Sequence, residues 1–252
     1  MTPLLTLTWL RISQVVRAEA ALAVVTYTLL AALLLPVLAD LSLGAADRTV
    51  VDLGLLAART AGALTALIAG LGTVGPTVRR GEATTWLVLP ISRSSWVLAR
   101  WTGTVAASIA TMVLCVGVWH VVAGLLGVRL PADLGSYLLA GTVELTVLAS
   151  MSTLAGAALP TPLATLSTIV AVTLGHVGGV YADITSPNWT LRTVGQGVRW
   201  IVPQLDRYNL QAELIYDLPV APSTLAFDAL HGVAWTLALI LGTCLVLSRR
   251  DL

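Results

Sequence analysis

Lysine is absent from this chain of 252 residues, and all 14 basic residues are arginine. That absence excludes the phosphate-binding loop of ATPases, whose lysine reaches the β and γ phosphates, because no Gly-Lys-Ser or Gly-Lys-Thr can occur. Charge of either sign is scarce at 11%, and 13 acids against 14 arginines leave a net +1, too little for a nucleic-acid surface. Cysteine occurs twice, and Cys115 and Cys244 each sit inside an apolar run, where they read as small buried hydrophobes and not as a disulfide or metal pair. His-Glu-x-x-His is missing, as is any serine and histidine arrangement that would mark an intramembrane protease. What is plentiful is apolar surface: 57% of residues are hydrophobic and the mean hydropathy is +0.88. A soluble domain has roughly 45–50% apolar and about 25% charged residues, so this chain reads as an integral membrane protein.

Charge positions divide the apolar sequence into six candidate transmembrane helices, at about 20–39, 53–78, 101–128, 134–159, 162–182 and 225–247. The expected fold is therefore all-α, with residues 1–252 forming a single transmembrane domain. Arg59 is the lone charge inside the second span, and Glu144 the lone charge inside the fourth. Pro160 and Pro162 separate the fourth and fifth spans. Ser223 and Asp228 suit the N-terminal end of the sixth. Residues 1–17 are interrupted by Arg11 and Arg17 before any apolar core, so they read as an interfacial helix and not as a cleavable signal. In this reading Leu7, Leu10 and Gln14 occupy registers different from Arg11 and Arg17, and Trp9 is an interfacial anchor. With the N-terminus inside, the cytoplasmic pieces hold eight arginines (Arg11, Arg17, Arg79, Arg80, Arg93, Arg100, Arg249, Arg250) and the outer pieces six. The bias favours cytoplasmic N- and C-termini. Trp9, Trp86, Trp96 and Trp101 then gather at the inner interface, and Trp189, Trp200 and Trp235 near the outer one.

Two connecting segments carry pattern. The inner loop 79–100 contains Trp86, Leu87, Val88 and Leu89, which make it amphipathic; Pro90 breaks it, and Ser92 can cap a helix running into the third span. The outer segment 183–227 is too long for structureless loop. Its Leu205, Tyr208, Ala212 and Ile215 predict a helix over 204–216, with a second, glycine-weakened helix over 191–201.

Gly81-Glu82, then Trp86-Leu87-Val88-Leu89-Pro90-Ile91-Ser92-Arg93, then Leu98-Ala99-Arg100 resemble the inner-loop pattern of type-2 ABC exporter permeases, namely Gly-Thr, Leu-Leu-x-x-Pro-Val-Ser-Arg and Leu-Gly-Lys. Departures are Glu82 for Thr, Ala99 for Gly and Arg100 for Lys. Val202-Pro203-Gln204-Leu205-Asp206-Arg207-Tyr208-Asn209 is a weaker echo of that family's stretch before the last span. The resemblance spans essentially the whole chain. It implies a plasma-membrane permease, non-catalytic itself, whose partner ATPase in two copies binds ATP and magnesium. It also implies a second permease copy, identical or related, and assigns ATPase coupling to Gly81, Glu82, Trp86, Leu87, Pro90, Ser92 and Arg93. The same architecture would serve a membrane subunit that transmits force or a signal without moving a solute.

Other constellations weigh less. Gly70-Leu71-Gly72-Thr73-Val74-Gly75 matches the dinucleotide-binding spacing, but inside a span it serves close helix packing, with flexibility beside Pro76. Gly175 and Gly179 form a second small-residue face, suited to a helix contact or a dimer seam. Glu144, roughly 15 Å into its span, needs a polar environment; it is either a packing acid bonded to Ser, Thr or an arginine such as Arg59, or a residue lining the substrate path. His120, His176 and His231 lie on three different spans, so joint metal ligation would require those spans to converge.

Overall fold

The computed structural model describes residues 3–41, 46–79, 81, 92–129, 131, 133–183, 193, 196–197 and 200–249. Every regular element among them is helical: α1 (Pro3–Val15), a π-turn (Val16–Ala20), α2 (Ala21–Leu41), α3 (Ala46–Leu71), α4 (Gly75–Arg79), α5 (Arg93–Leu125), α6 (Leu134–Ala158), α7 (Thr161–Asp183), a 3-10 turn (Asp206–Tyr208), α8 (Gln211–Ile215) and α9 (Pro222–Ser248). Five helical stretches are long and apolar enough to cross a membrane: Ala21–Leu38, Asp47–Arg79, Arg93–Leu125, Leu134–Ala158 and Pro222–Ser248. The fifth predicted span coincides with α7, whose described apolar stretch, Thr161–Val177, is shorter than these. Residues 82–91, which hold Glu82, Trp86, Leu87 and Pro90, and most of the expected helix 191–201 lie outside the described residues.

The centre of the bundle is α3. Gly54, Ala58, Gly62, Ala66 and Gly70 recur every fourth residue and give it a face without bulk. Neighbours close onto that face. A Cβ at Gly54 would collide with the Trp119 indole, one at Gly62 would lie 2.9 Å from Met112 Cβ, and one at Gly70 would collide with Ser152. Small residues let backbones approach where lipid supplies no hydrophobic drive between helices. Three aromatic groups then reach carbonyls of α3: Trp119 Nε1 donates to Val50 (3.1 Å), Tyr27 Oη to Gly54 (2.9 Å) and Tyr137 Oη to Leu55 (2.8 Å). Each buried donor is thereby satisfied and ties α5, α2 or α6 to the central helix.

Peripheral helices keep one face inward. On α2, Tyr27, Ala31 and Leu35 are buried at i, i+4 and i+8, while Leu22, Val25, Leu29, Leu30, Leu33, Leu34 and Val37 are exposed. An apolar exposed face of that extent is stable only in hydrocarbon.

The N-terminal helix departs from the expected arrangement. It is continuous with α2 through the π-turn, and Leu7 and Arg11 are both buried, whereas Trp9 is 64% exposed. Leu7 and Arg11 are four apart and share a helix face, so the inward register carries the arginine. Leu7 clusters with Trp96, Val97 and Ala99 of α5, and Val15 and Ala20 cluster with Ala69 and Ala107. The five-residue spacing of Val15 and Ala20 is that of a π-turn, which brings both to one side.

Helix ends follow local chemistry. Ser92 caps α5, its Oγ accepting from Ser95 N at 3.2 Å, and Asp133 caps α6 through Ser136 N. Extended Leu159 separates α6 from α7 before Pro160. The Ser223 cap does not form; α9 starts one residue earlier at Pro222, whose fixed φ and missing N–H suit a first helical position. Nor is 204–216 one helix. Asn209 is extended at φ −89°, ψ 90°, splitting the segment into the 3-10 turn and α8, so Leu205, Tyr208, Leu210, Gln211 and Leu214 become the buried set and Ala212 turns outward.

Candidate functional site

Two polar clusters lie within the bundle, one toward each end. The first sits at the break between α3 and α4, beside α1 and the start of α5. The turn Gly72–Val74 ends α3 before Gly75 and Pro76, which leaves carbonyls without helical partners. Arg11 Nη2 donates to Ala69 O at 2.6 Å, and Arg100 Nε to Thr73 O at 2.7 Å. Thr73 and Thr104 join hydroxyls at 3.1 Å, and the Arg100 guanidinium lies 5.3 Å over the Trp96 ring. Trp96 is therefore buried under an arginine. Cations at the C-terminal end of a helix complement its partial negative charge. Two arginines from flanking helices thus clasp the broken end of α3. Across the break, Gly75 and Gly156 come into backbone contact; a Cβ on Gly156 would lie 2.6 Å from Leu71 O.

Of the seven residues assigned to ATPase coupling, three are described. Gly81 takes φ +73°, a conformation that favours glycine, and its N donates to Val78 O at 3.1 Å. Ser92 is the cap of α5, and Arg93 Nη1 donates to Leu247 O at 3.3 Å, joining the start of α5 to the end of α9. Arg79 donates to Leu159 O and Thr161 Oγ1. The loop is thus flanked by arginines that bind helix ends on α6, α7 and α9.

The second cluster is built on Glu144, which is 2% exposed. Its Oε2 accepts from Arg59 Nε, and its Oε1 lies 3.1 Å from His176 Nε2. Arg59 Nη1 donates to Asn209 Oδ1 at 2.7 Å, whereas Nη2 is buried with no hydrogen-bond partner. Asn209 Oδ1 also accepts from Gln211 N, and Gln211 Nε2 donates to the Asp52 carbonyl and carboxylate. One chain of contacts therefore joins α7, α6, α3 and the 202–215 segment. Beside it, Leu205 N donates to Gly175 O at 3.0 Å, and a Cβ at Gly175 would press on Pro203 O and Leu205. The Gly175 face thus receives the segment before α9, not another helix. Glu144 takes the buried, Arg59-paired arrangement.

The histidines do not converge. His120 is exposed against the edge of Trp119, His176 meets Glu144, and His231 stands between Tyr208 Oη (2.8 Å) and Trp235 Nε1 (3.1 Å). Because the indole N–H can only donate, His231 Nε2 accepts, and a neutral ring then donates from Nδ1 to Tyr208. Burial pushes the Tyr208 phenol up from its ordinary range, so it stays protonated near neutrality. No group of three or more His, Cys, Asp or Glu residues suited to a metal ion occurs among the described residues.

Sequence reasoning found the Arg59 and Glu144 partners but missed the Arg11 and Arg100 clasp, Asn209 and the pairing of His176. The visible signal for the clasp was a buried-face register, since Leu7 and Arg11 share a face. No protein-family model matches this chain, and no curated protein matches it.

Proposed function

We propose that this chain is the membrane permease of an ATP-driven exporter resembling the type-2 ABC class. Its six spans would include α7, whose 23 residues rise roughly 34 Å, enough for a hydrocarbon core of about 30 Å. In this reading both termini are cytoplasmic, two copies pair around a central path in the plasma membrane, and two ATPase subunits dock at residues 79–100 and bind ATP and magnesium.

The observation that carries the reading is the clasp. Directly before the loop, α3 is interrupted, and its end is held by Arg11 from α1 and Arg100 from α5. Directly after the loop, Arg93 binds the end of α9. A displacement of the loop therefore reaches four helices through short polar contacts, the arrangement a force-transmitting elbow needs. Glu144 serves in this reading as the anchor of the distal closure, since Arg59 and His176 engage its carboxylate.

Mild solubilisation should recover an ATPase subunit with the chain. Leu87→Asp and Arg93→Glu should each abolish that recovery while leaving membrane insertion intact, because both alter the docking surface and neither puts a charge into the middle of a span. Unchanged recovery with both variants refutes the proposal.

A further inference from the structure

We propose that Glu144 and His176 form a proton-binding site that latches the 202–215 segment onto the bundle. The segment is docked when the proton is bound and released when it is lost.

The argument begins with donor and acceptor parity. His176 Nδ1 lies 3.0 Å from the Val172 carbonyl oxygen, which can only accept, so Nδ1 carries hydrogen. His176 Nε2 lies 3.1 Å from Glu144 Oε1. A carboxylate oxygen also only accepts, so one proton must lie between them, on the imidazole or on the acid. Rotating the ring by half a turn would put carbon at both positions and lose both bonds. Without the shared proton, a nitrogen lone pair would face a carboxylate. The proton enters and leaves on the His176 side, since the His176 side chain is 38% exposed while that of Glu144 is 2% exposed.

What the proton controls follows from Arg59. Its Nε binds Glu144 Oε2 and its Nη1 binds Asn209, while Nη2 has no partner. Nε and Nη2 share the side-on edge of the guanidinium, the edge that takes a carboxylate in a two-point bond. With the proton in place, Oε1 is drawn to His176 and Nη2 makes no bond to it. When the proton leaves through His176 to water and the ring keeps its Nδ1–H on the Val172 carbonyl, an Nε2 lone pair faces Oε1, which is then drawn to Nη2. The guanidinium then turns toward Glu144 and Nη1 leaves Asn209. The segment loses its Arg59 tether and loosens around Leu205, whose N on Gly175 O holds it there, while Tyr208 on His231 and Gln211 on Asp52 hold it farther along.

Other charged and titratable groups face this region from each packed element: Asp52 on α3, Tyr137 on α6, Asp206, Arg207 and Tyr208 in the segment, and Asp228 and His231 on α9. Most are already engaged. Asp52 accepts from Gln211, Tyr137 donates to Leu55 O, Arg207 lies 3.7 Å from Asp228, and His231 is held by Tyr208 and Trp235. The sign follows from the parity: docking is complete at low pH and is lost as pH rises through the titration of the pair.

The test uses the full chain in a neutral detergent, with Cys115 and Cys244 replaced by alanine. A single cysteine replaces buried Leu205, and in a parallel protein exposed Ile201. The ratio of labelling rates at 205 and 201 is read against the same two cysteines in the His176→Gln protein, which carries the thiols' own titration. That ratio should rise about fivefold or more from about pH 5.5 to about pH 8.5. His176→Gln keeps a permanent N–H toward Glu144, so it should hold the ratio low at every pH. A flat ratio with His176 present, or an equal rise in the glutamine variant, overturns the proposal. Leu210→Cys, also buried, provides the same readout should Leu205→Cys disturb the fold. No ATPase enters the measurement, so its outcome is separate from that of the exporter reading.

Discussion

Replacing Glu144 with methionine should destabilise this protein far more than the loss of one hydrogen bond would suggest. The acid is 2% exposed and the Arg59 side chain 8% exposed, so removing the carboxylate leaves a buried guanidinium with no counter-charge in contact. Breaking a buried pair from one side costs about 3–5 kcal/mol, because the surviving charge keeps its desolvation penalty. At about 2–4 °C per kcal/mol for a chain of this size, the apparent Tm in detergent should fall by about 6–20 °C. Arg59→Met should do likewise by orphaning Glu144. The double variant is the decisive arm. Removing both charges abolishes both penalties, while Asn209 and half-exposed His176 can bond to water, so stability should return to within about 1 kcal/mol of the starting protein or exceed it. Thermal unfolding of the four proteins, followed by tryptophan fluorescence, closes the cycle. Single variants within about 1 kcal/mol of the parent, or additive losses in the double, would refute the assignment of a coupled buried pair. An unpartnered buried acid would give the opposite sign, since its neutralisation stabilises.

Gly156→Ala should cost about 1–3 kcal/mol, because its Cβ would lie 2.6 Å from the Leu71 backbone oxygen, and backbone cannot step aside as a side chain can. Gly117→Ala, in α5 with nothing within 4 Å, should instead stabilise by about 0.5–1 kcal/mol; equal effects of the two in thermal unfolding would contradict the packing described for α6 on α3. Arg100→Leu should lower stability by about 1.5–3 kcal/mol through the lost charge-assisted bond to Thr73 O, and should raise hydrogen exchange in 69–79 before other segments; uniform exchange would remove the clasp. Single cysteines at Ser94 and Thr190 should be labelled by an impermeant thiol reagent in intact cells only at 190, and labelling at 94 instead would invert the proposed topology.

Five of the expected spans coincide with long apolar helices, and they were legible because charge is scarce and most charges mark boundaries. The pairing of Arg59 with Glu144 was legible for the same reason: each is the lone charge of its span and needs a partner. Caps and breaks read correctly where the signal is local, as at Ser92 and Pro160. Failures came where the partner is distant. Arg11 faces inward because the carbonyl it binds is 58 residues away, at a helix break that exists only once Gly75 packs on Gly156. The apolar period over 204–216 predicted one helix, but Asn209 leaves helical geometry to bond Arg59, and a tertiary contact overrides the local pattern. The four-residue ladder of glycine and alanine along α3 was present in the sequence all along. It lies inside a uniformly apolar stretch, where a small-residue face has no charge contrast to mark it.

Both polar clusters are attached to α3. Arg59 precedes the end of that helix at Leu71 by roughly 18 Å at 1.5 Å per residue, and the small-residue face between them seats the helix directly against α5 and α6. A helix packed backbone to side chain on two sides does not bend gradually; it holds one seating or moves to another as a rigid element. A shift of about 1 Å imposed at the clasp therefore arrives at Arg59 nearly undiminished, and it suffices there, because a 2.7 Å bond to Asn209 weakens steeply once stretched beyond about 3.5 Å. The distal latch can thus be opened in two ways, by loss of the shared proton or by displacement of α3 from the terminal end. The two act on the same guanidinium, and each lowers the cost of the other.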